Sequence, residues 1–426
     1  MPSRVHRDVQ PQPEQGITRR EAIEGIAGSV GAVFAARIPQ ASPVQGGLPS
    51  AATQSPPARL VGAPTSAVGT RSPFAAPTGR TPVGNPVGSS LTPLHTLSGT
   101  ITPSDLHFER HHAGVPAIDP ATHRLVIHGL VDRPLSFSVD DIKRFPQVTR
   151  VHFVECSGNG RPVLVSPAPD MTPQRTDGLT SNSEWTGVPV ATLFREAGAQ
   201  REATWFLAEG GDACLMTRSI PMEKGLDDAL VVWAQNGEPL RPEQGFPLRL
   251  LLPGWEGNTN VKWLRRLELG TQPWMTRWET SKYTDPMRNG TARIFSFVMD
   301  ARSIITSPSV PARLTSPGWR PVSGVAWSGR GRITSVEVSA DGGASWHEAE
   351  VQGPALPKAH TRFSMMWNWQ GEPAVLLSRA TDETGYVQPT RADLLAARGP
   401  GTDYHYNAIR GWRIAPDGSI AFHWET

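Results

Sequence analysis

From Pro39 to about Pro93 the chain consists of Pro, Ala, Gly, Ser and Thr with few large apolar side chains. Such a stretch buries too little apolar surface to offset the entropy lost on ordering, so residues 39–93 read as a disordered linker. The linker separates a short N-terminal piece from a remainder that is too long for one hydrophobic core, which predicts two domains. Hydrophobic residues at 38% and charged residues at 19% suit a globular protein. A net charge of +2 argues against a nucleic-acid partner, which needs a concentrated basic face. No apolar run reaches the roughly 18 residues of a membrane span.

Residues 1–38 carry an address. Thr18-Arg19-Arg20-Glu21-Ala22-Ile23, followed by small and apolar residues from Gly25 to Ala36, has the form of a twin-arginine export signal. That route carries folded proteins, often with a cofactor inserted, so the expected destination is the periplasm.

Two patterns divide the remainder. In residues 94–288 strands and short helices mix without regular βαβ alternation, which predicts an α+β domain. Leu125 to His128 reads as a strand ending at Gly129, and Ser138 with Asp141 caps a short helix. Val190 to Ala197 reads as a helix stopped by Gly198, with further strands at Pro247–Leu252 and Val261–Leu269. In residues 289–426 strand candidates recur at Ile294–Met299, Gly324–Trp327, Ile333–Ser339, Ser345–Val351, Arg362–Trp369 and Ala374–Ala380. Even spacing, turn residues and no expected helix predict an immunoglobulin-like antiparallel β-sandwich.

The chemistry concentrates in Phe153-Val154-Glu155-Cys156-Ser157-Gly158-Asn159-Gly160-Arg161. A cysteine delivered by a strand into a glycine loop sits on backbone that a ligand can approach closely. Thiolate is a soft donor for a polarizable metal, and a nearby arginine favours the ionised form. Residue type alone fits a buried structural cysteine equally well. The chain has two cysteines, Cys156 and Cys214, too few for a Cys-rich zinc site. They leave open a disulfide in a metal-free, β-rich binding protein.

This loop resembles the molybdenum-ligand loop of the sulfite oxidase family of molybdopterin oxidoreductases. Blocks such as LHFERHHAGVPAIDP, HFVECSGNG, GLTSNSEWTGVP, MTRSIP and ETSKYTD extend the likeness over nearly all of residues 95–412. The likeness is strongest to the molybdenum subunit of sulfane dehydrogenases in bacterial thiosulfate oxidation. It implies the sulfite oxidase fold, with a molybdopterin-bound molybdenum held by Cys156. It places Phe108, His112, Ser157, Ser219, Asn260 and Lys262 at the cofactor, and Arg110, Tyr283, Arg161 and Trp185 at the substrate. Arg330 or Arg332 is implied as an arginine reaching in from the second domain, and that domain as a dimerisation module.

Gly160 stands where sulfite oxidases often have arginine, a departure that weighs against sulfite as substrate. The resemblance implies oxidation of sulfane sulfur on a carrier protein by oxygen-atom transfer, with electrons passed to a c-type cytochrome. Periplasmic sulfite dehydrogenation is the alternative. The sequence has no CxxCH motif, so the haem belongs to a partner subunit, in a homodimer or heterotetramer.

Overall fold

A computed structural model describes residues 64–425 apart from 73, 75–77, 85–87, 288 and 400–402. The expected export signal and residues 39–63 of the expected linker lie outside the described residues. Residues 71–426 form one compact unit. Its start corrects the linker boundary. Thr81–Val83 and Ser89–Leu91 pair, and Ser89–Leu91 pairs in turn with Glu109–Arg110, in a three-stranded sheet. Leu91 and Leu94 are buried there. Apolar residues are sparse in this stretch, and these two are buried.

Two five-stranded sheets build the first domain. One orders Glu238–Pro239, Leu230–Gln235, Thr180–Pro189 and Val148–Glu155, with Arg249–Leu251 also paired to Leu230–Gln235. The other runs Leu135–Phe137, Leu125–Gly129, Leu264–Gly270, Trp205–Gly210, Thr217–Pro221. Only the Leu125–Gly129 and Leu264–Gly270 pair in it is parallel. Short helices fill the edges. Val139–Lys143 begins at a full capping box, Ser138 Oγ accepting from Asp141 N while Asp141 accepts from Ser138 N. Val190–Ala197 ends on Gly198 at φ +69°. The domain core gathers Leu125, Ile127, Leu193, Phe194, Phe206, Leu250 and Leu267.

The second domain is a sandwich of two antiparallel sheets. One orders Arg302–Ser307, Gly318–Trp327, Thr361–Trp369 and Glu350–Val351. The other orders His347–Glu348, Ile333–Ser339, Ala374–Asp382, Gly411–Ile414 and Ile420–His423. Two expectations change. Ile294–Met299 forms no strand, because Phe295 and Phe297 take left-handed backbone and pack their rings on Trp205 and Trp255 of the first domain, Phe297 stacked and Phe295 tilted. Their apolar spacing is interdomain packing, and the sandwich starts at Arg302 instead. The sandwich domain also holds a helix, Arg391–Arg398, capped by Thr390 on Asp393 N.

The sandwich core is continuous with the first domain. Phe153, Val163 and Met171 join Val325, Trp327, Phe363 and Trp412 in one buried cluster. Strand Val148–Glu155 thus has one end in each domain's packing and delivers its last residue to their junction.

Candidate active site

Cys156 follows Glu155, the last residue of that strand. Glu155 pairs with Thr180 on one side and makes a bridge to Glu256 on the other. A Cβ on Gly257 would lie 2.9 Å from Glu155 O and 3.3 Å from Cys156 Cα, so only glycine lets these two segments approach this closely. Cys156 lines a cavity at this junction.

Seven of the residues singled out from the sequence line this cavity together: Phe108, Arg110, His112, Cys156, Asn260, Lys262 and Tyr283. Phe108 and Arg110 arrive on the short strand Glu109–Arg110 and the residue before it. Lys262 precedes Leu264–Gly270, and Tyr283, at φ +46°, sits in the connector between the domains. Tyr283 Oη and His112 Nε2 lie 2.7 Å apart. Burial and then Arg110 hold the imidazole of His112 at about 4, so it is neutral at ordinary pH. Burial likewise pushes the Tyr283 hydroxyl up, keeping it a donor. Burial also raises the Cys156 thiol, with Arg110 opposing.

The other expected residues lie elsewhere. Ser157 is buried just behind the wall, its Oγ accepting from Asn258 Nδ2 at 3.1 Å. Ser219 is buried but faces Trp274 and Glu279. Trp185 is core, not pocket; its Nε1 donates to His152 O and its ring carries the Arg249 guanidinium. Arg161 is half exposed and paired with Asp403. Arg330 pairs with Asp300 and Arg332 with Glu383, and neither lines the cavity. The second domain's reach falls instead to Tyr404 and His405. The Tyr404 ring lies 5.5 Å from that of Tyr283. His405 N donates to Ser157 O, and its imidazole lies 3.3 Å from Glu256.

Sequence reasoning missed Arg249, Gln244, Asp212, Met216 and Asn258 in the wall. Arg249 had a signal: it is the one charge in the apolar run Pro247–Leu252. It also missed Arg218, buried beneath the Tyr283 ring at 5.1 Å and held by Glu256 and Glu279.

The electrostatics of the wall state what it is built to hold. Lys262 Nζ donates to Arg110 O, Glu243 O and His111 Nδ1 at 3.1, 3.0 and 2.6 Å, with no carboxylate among these partners. His111 passes the polarity on to Glu109, whose carboxyl falls to about 2 through that hydrogen bond. Burial, then Arg249, lowers Lys262 well below the ordinary ammonium value. Arg249 is fully enclosed; burial draws it to about 9, and its Nε has no partner. With Arg110 these make three cations around one cavity-lining carboxylate, Asp212. Buried cations without counter-ions are costly, and an anionic ligand removes the cost. Among the described residues no group of three or more His, Cys, Asp or Glu could hold a bare metal ion. A metal carried by an anionic organic ligand, with a single protein thiolate, fits this wall.

Comparison with known proteins agrees. Residues 112–278 match the oxidoreductase molybdopterin binding domain, and residues 293–410 the Mo-co oxidoreductase dimerisation domain. Sulfite oxidase of Gallus gallus is 30% identical over 314 residues, 68% of this chain and 68% of its own length. Mitochondrial sulfite oxidase of Rattus norvegicus is 29% identical over 71% of this chain, which spans 60% of that protein's length. The crystal structure of the sulfane dehydrogenase SoxCD from Paracoccus pantotrophus aligns with a TM-score of 0.83 at 44% identity. It covers 88% of this chain and 99% of that one. An α+β domain with a cationic, single-thiol cavity, an Ig-like domain behind it, and these relatives lead to one conclusion: the chain belongs to the sulfite oxidase family of oxidoreductases and carries the molybdenum–molybdopterin cofactor.

Proposed function

We propose that this protein oxidises sulfane sulfur borne on a cysteine of a carrier protein, passing the electrons to a c-type cytochrome subunit in an exported, periplasmic complex. The observation that carries this reading is the 44% identity to a sulfane dehydrogenase along 99% of that chain. Gly160 supports it. At φ +85°, with Tyr406 O 2.9 Å from where a Cβ would stand, the position has no room for the arginine that sulfite oxidases often place there. The twin-arginine pattern at Thr18–Ile23 supports export.

In this reading Cys156 would supply the thiolate to molybdenum, and Lys262, Arg249 and Asn260 would hold the anionic pterin moiety. Bound there, the cofactor supplies oxygen-atom transfer to sulfur and accepts two electrons. The chain's own residues do the rest. Arg110 presents a fixed guanidinium to a sulfur oxyanion as negative charge gathers on it. Tyr283 donates its hydroxyl, oriented by neutral His112, and Arg218 beneath its ring keeps the phenol from swinging away. Tyr404 packs against that phenol from the second domain.

Sulfite dehydrogenation is the second reading, favoured by the sulfite oxidase relatives. The deciding experiment is steady-state turnover of cofactor-loaded protein with sulfite and, separately, with a carrier-bound persulfide, following cytochrome c reduction. The proposal expects kcat/KM for the persulfide to exceed that for sulfite at least tenfold; the reverse order would overturn it. Cys156→Ser is expected to remain folded while losing turnover by orders of magnitude, and full activity in that variant would remove the thiolate role.

A further inference from the structure

The loop bearing Cys156 is held from both domains. Glu155 is fully buried, and both of its carboxylate oxygens are committed. Oε1 takes Arg302 Nη1 at 2.6 Å and Asn159 Nδ2 at 2.9 Å, and Oε2 takes Trp327 Nε1 at 2.7 Å. Arg302 and Trp327 belong to the sandwich strands Arg302–Ser307 and Gly318–Trp327. Asn159 relays the restraint: its Oδ1 accepts from Leu179 N at 3.1 Å, and its backbone N donates to Cys156 O at 2.8 Å. Cys156 N donates in turn to Leu179 O at 2.9 Å. Both backbone polar groups of Cys156 are therefore fixed inside one closed circuit that starts at Glu155.

The same loop is gripped at its other residues. His405 N donates to Ser157 O, Arg302 Nη2 reaches Asn159 O and Tyr406 O, and Tyr406 packs on Gly160. Arg302 and Arg410 both pair with Asp177, so two cations face two carboxylates in a balanced, buried group of four. A charge-balanced, buried network of this kind specifies geometry more than it adds stability. What lies at its end is the sulfur atom.

We propose that Glu155 is a positioning residue for the Cys156 sulfur, set in place by Arg302 and Trp327, so that the sandwich domain fixes the metal–thiolate geometry of the first domain. The proposal rests on the reading of Cys156 as the molybdenum thiolate. Moving this anchor would move the thiolate against any metal it held, so the spectrum of the loaded site would report the displacement as well as the rate.

The test uses the cofactor-loaded full chain with Glu155→Gln, and with Trp327→Phe, which removes one N–H from the circuit. Molybdenum per chain, the electron paramagnetic resonance of the one-electron-reduced protein, and the separate kcat and KM are measured. Arg379→Gln, which breaks an ion pair with Glu337 elsewhere in the sandwich, is the control. Expected are shifted g-values and a kcat at least tenfold lower in both variants, KM within twofold of wild type, metal content largely retained, and a control like wild type. Wild-type spectra and kcat in both variants would overturn the proposal, as would an equal shift in the control. Should Glu155→Gln fail to fold, Trp327→Phe decides alone. Cys156→Ser is run alongside. An unchanged spectrum there overturns the thiolate reading itself, whereas a changed one beside a wild-type Glu155→Gln spectrum overturns only the clamp.

Discussion

Lys262 shows most clearly how a single side chain records an absent partner. Its ammonium is buried against two carbonyls and an imidazole, an arrangement that is tolerable only when an anion completes it. Lys262→Met is therefore expected to act in opposite directions on two states. Molybdopterin content is expected to fall more than tenfold, while the cofactor-free variant melts at the same temperature as cofactor-free wild type or higher, because an uncompensated buried charge has gone. Pterin fluorescence and thermal denaturation read the two effects separately. Tyr283→Phe is expected to leave molybdenum content unchanged and to lower kcat/KM by about 10²-fold, the usual loss when one preorganised donor is removed; steady-state kinetics checks it. At this scale the sequence was informative where a motif tied residues to one loop. Phe108, Arg110 and His112 are consecutive in space because they are near-consecutive in the chain. Trp185, Arg161 and Ser219 do not line the cavity: Trp185 lies in core, Arg161 is half exposed against Asp403, and Ser219 faces Trp274 and Glu279. Which face of a strand a residue takes depends on register, and register depends on partners far along the chain.

Elements were legible where local rules decide them. The capping box at Ser138, the helix closed by Gly198 and the strand before Cys156 all stand as periodicity and turn chemistry predict. They were illegible where tertiary packing overrides local pattern. Phe295 and Phe297 alternate like strand residues, yet their rings pack across the domain junction on Trp205 and Trp255. The loop Ser157–Gly160 belongs to the legible class, and its last glycine can be tested. Gly160 holds φ +85°, and an added Cβ would meet Tyr406 O at 2.9 Å, a backbone atom that cannot yield cheaply. Gly160→Ala is expected to cost roughly 1–3 kcal/mol, as strained left-handed positions do. A shift in the urea midpoint with unchanged slope would show it; an unshifted midpoint would mean the loop relaxes freely.

Over the whole molecule the two domains are expected to behave as one cooperative unit, since Phe153, Val163 and Met171 of the first are core residues of the second. A partly buried imidazole, His152, and a buried one, His360, at the same junction make this cooperativity sensitive to acid. His152 Nδ1 lies 3.3 Å from Lys358 O of the second domain, and His360 Nε2 lies 3.0 Å from Thr180 Oγ1 of the first. Burial lowers their pKa values to about 4 and about 3, against about 6.5 in an unfolded chain. Between those limits the unfolded chain binds more protons than the folded one, so stability rises with pH. Their contribution is complete above about pH 6.5 and is lost as pH falls toward 4 and then 3. Calorimetry at pH 7 is expected to show a single transition for residues 71–426, moving to lower temperature as pH drops from 6.5 to 4. His152→Gln with His360→Gln removes these two titrating rings while keeping neutral hydrogen-bonding groups, and is expected to lessen that acid slope, the remainder coming from His107, His112 and the other imidazoles that burial lowers. Two separate transitions at pH 7 would show that the junction does not bind the domains into one folding unit, and an unchanged slope in the double variant would show that these two imidazoles do not set its acid sensitivity.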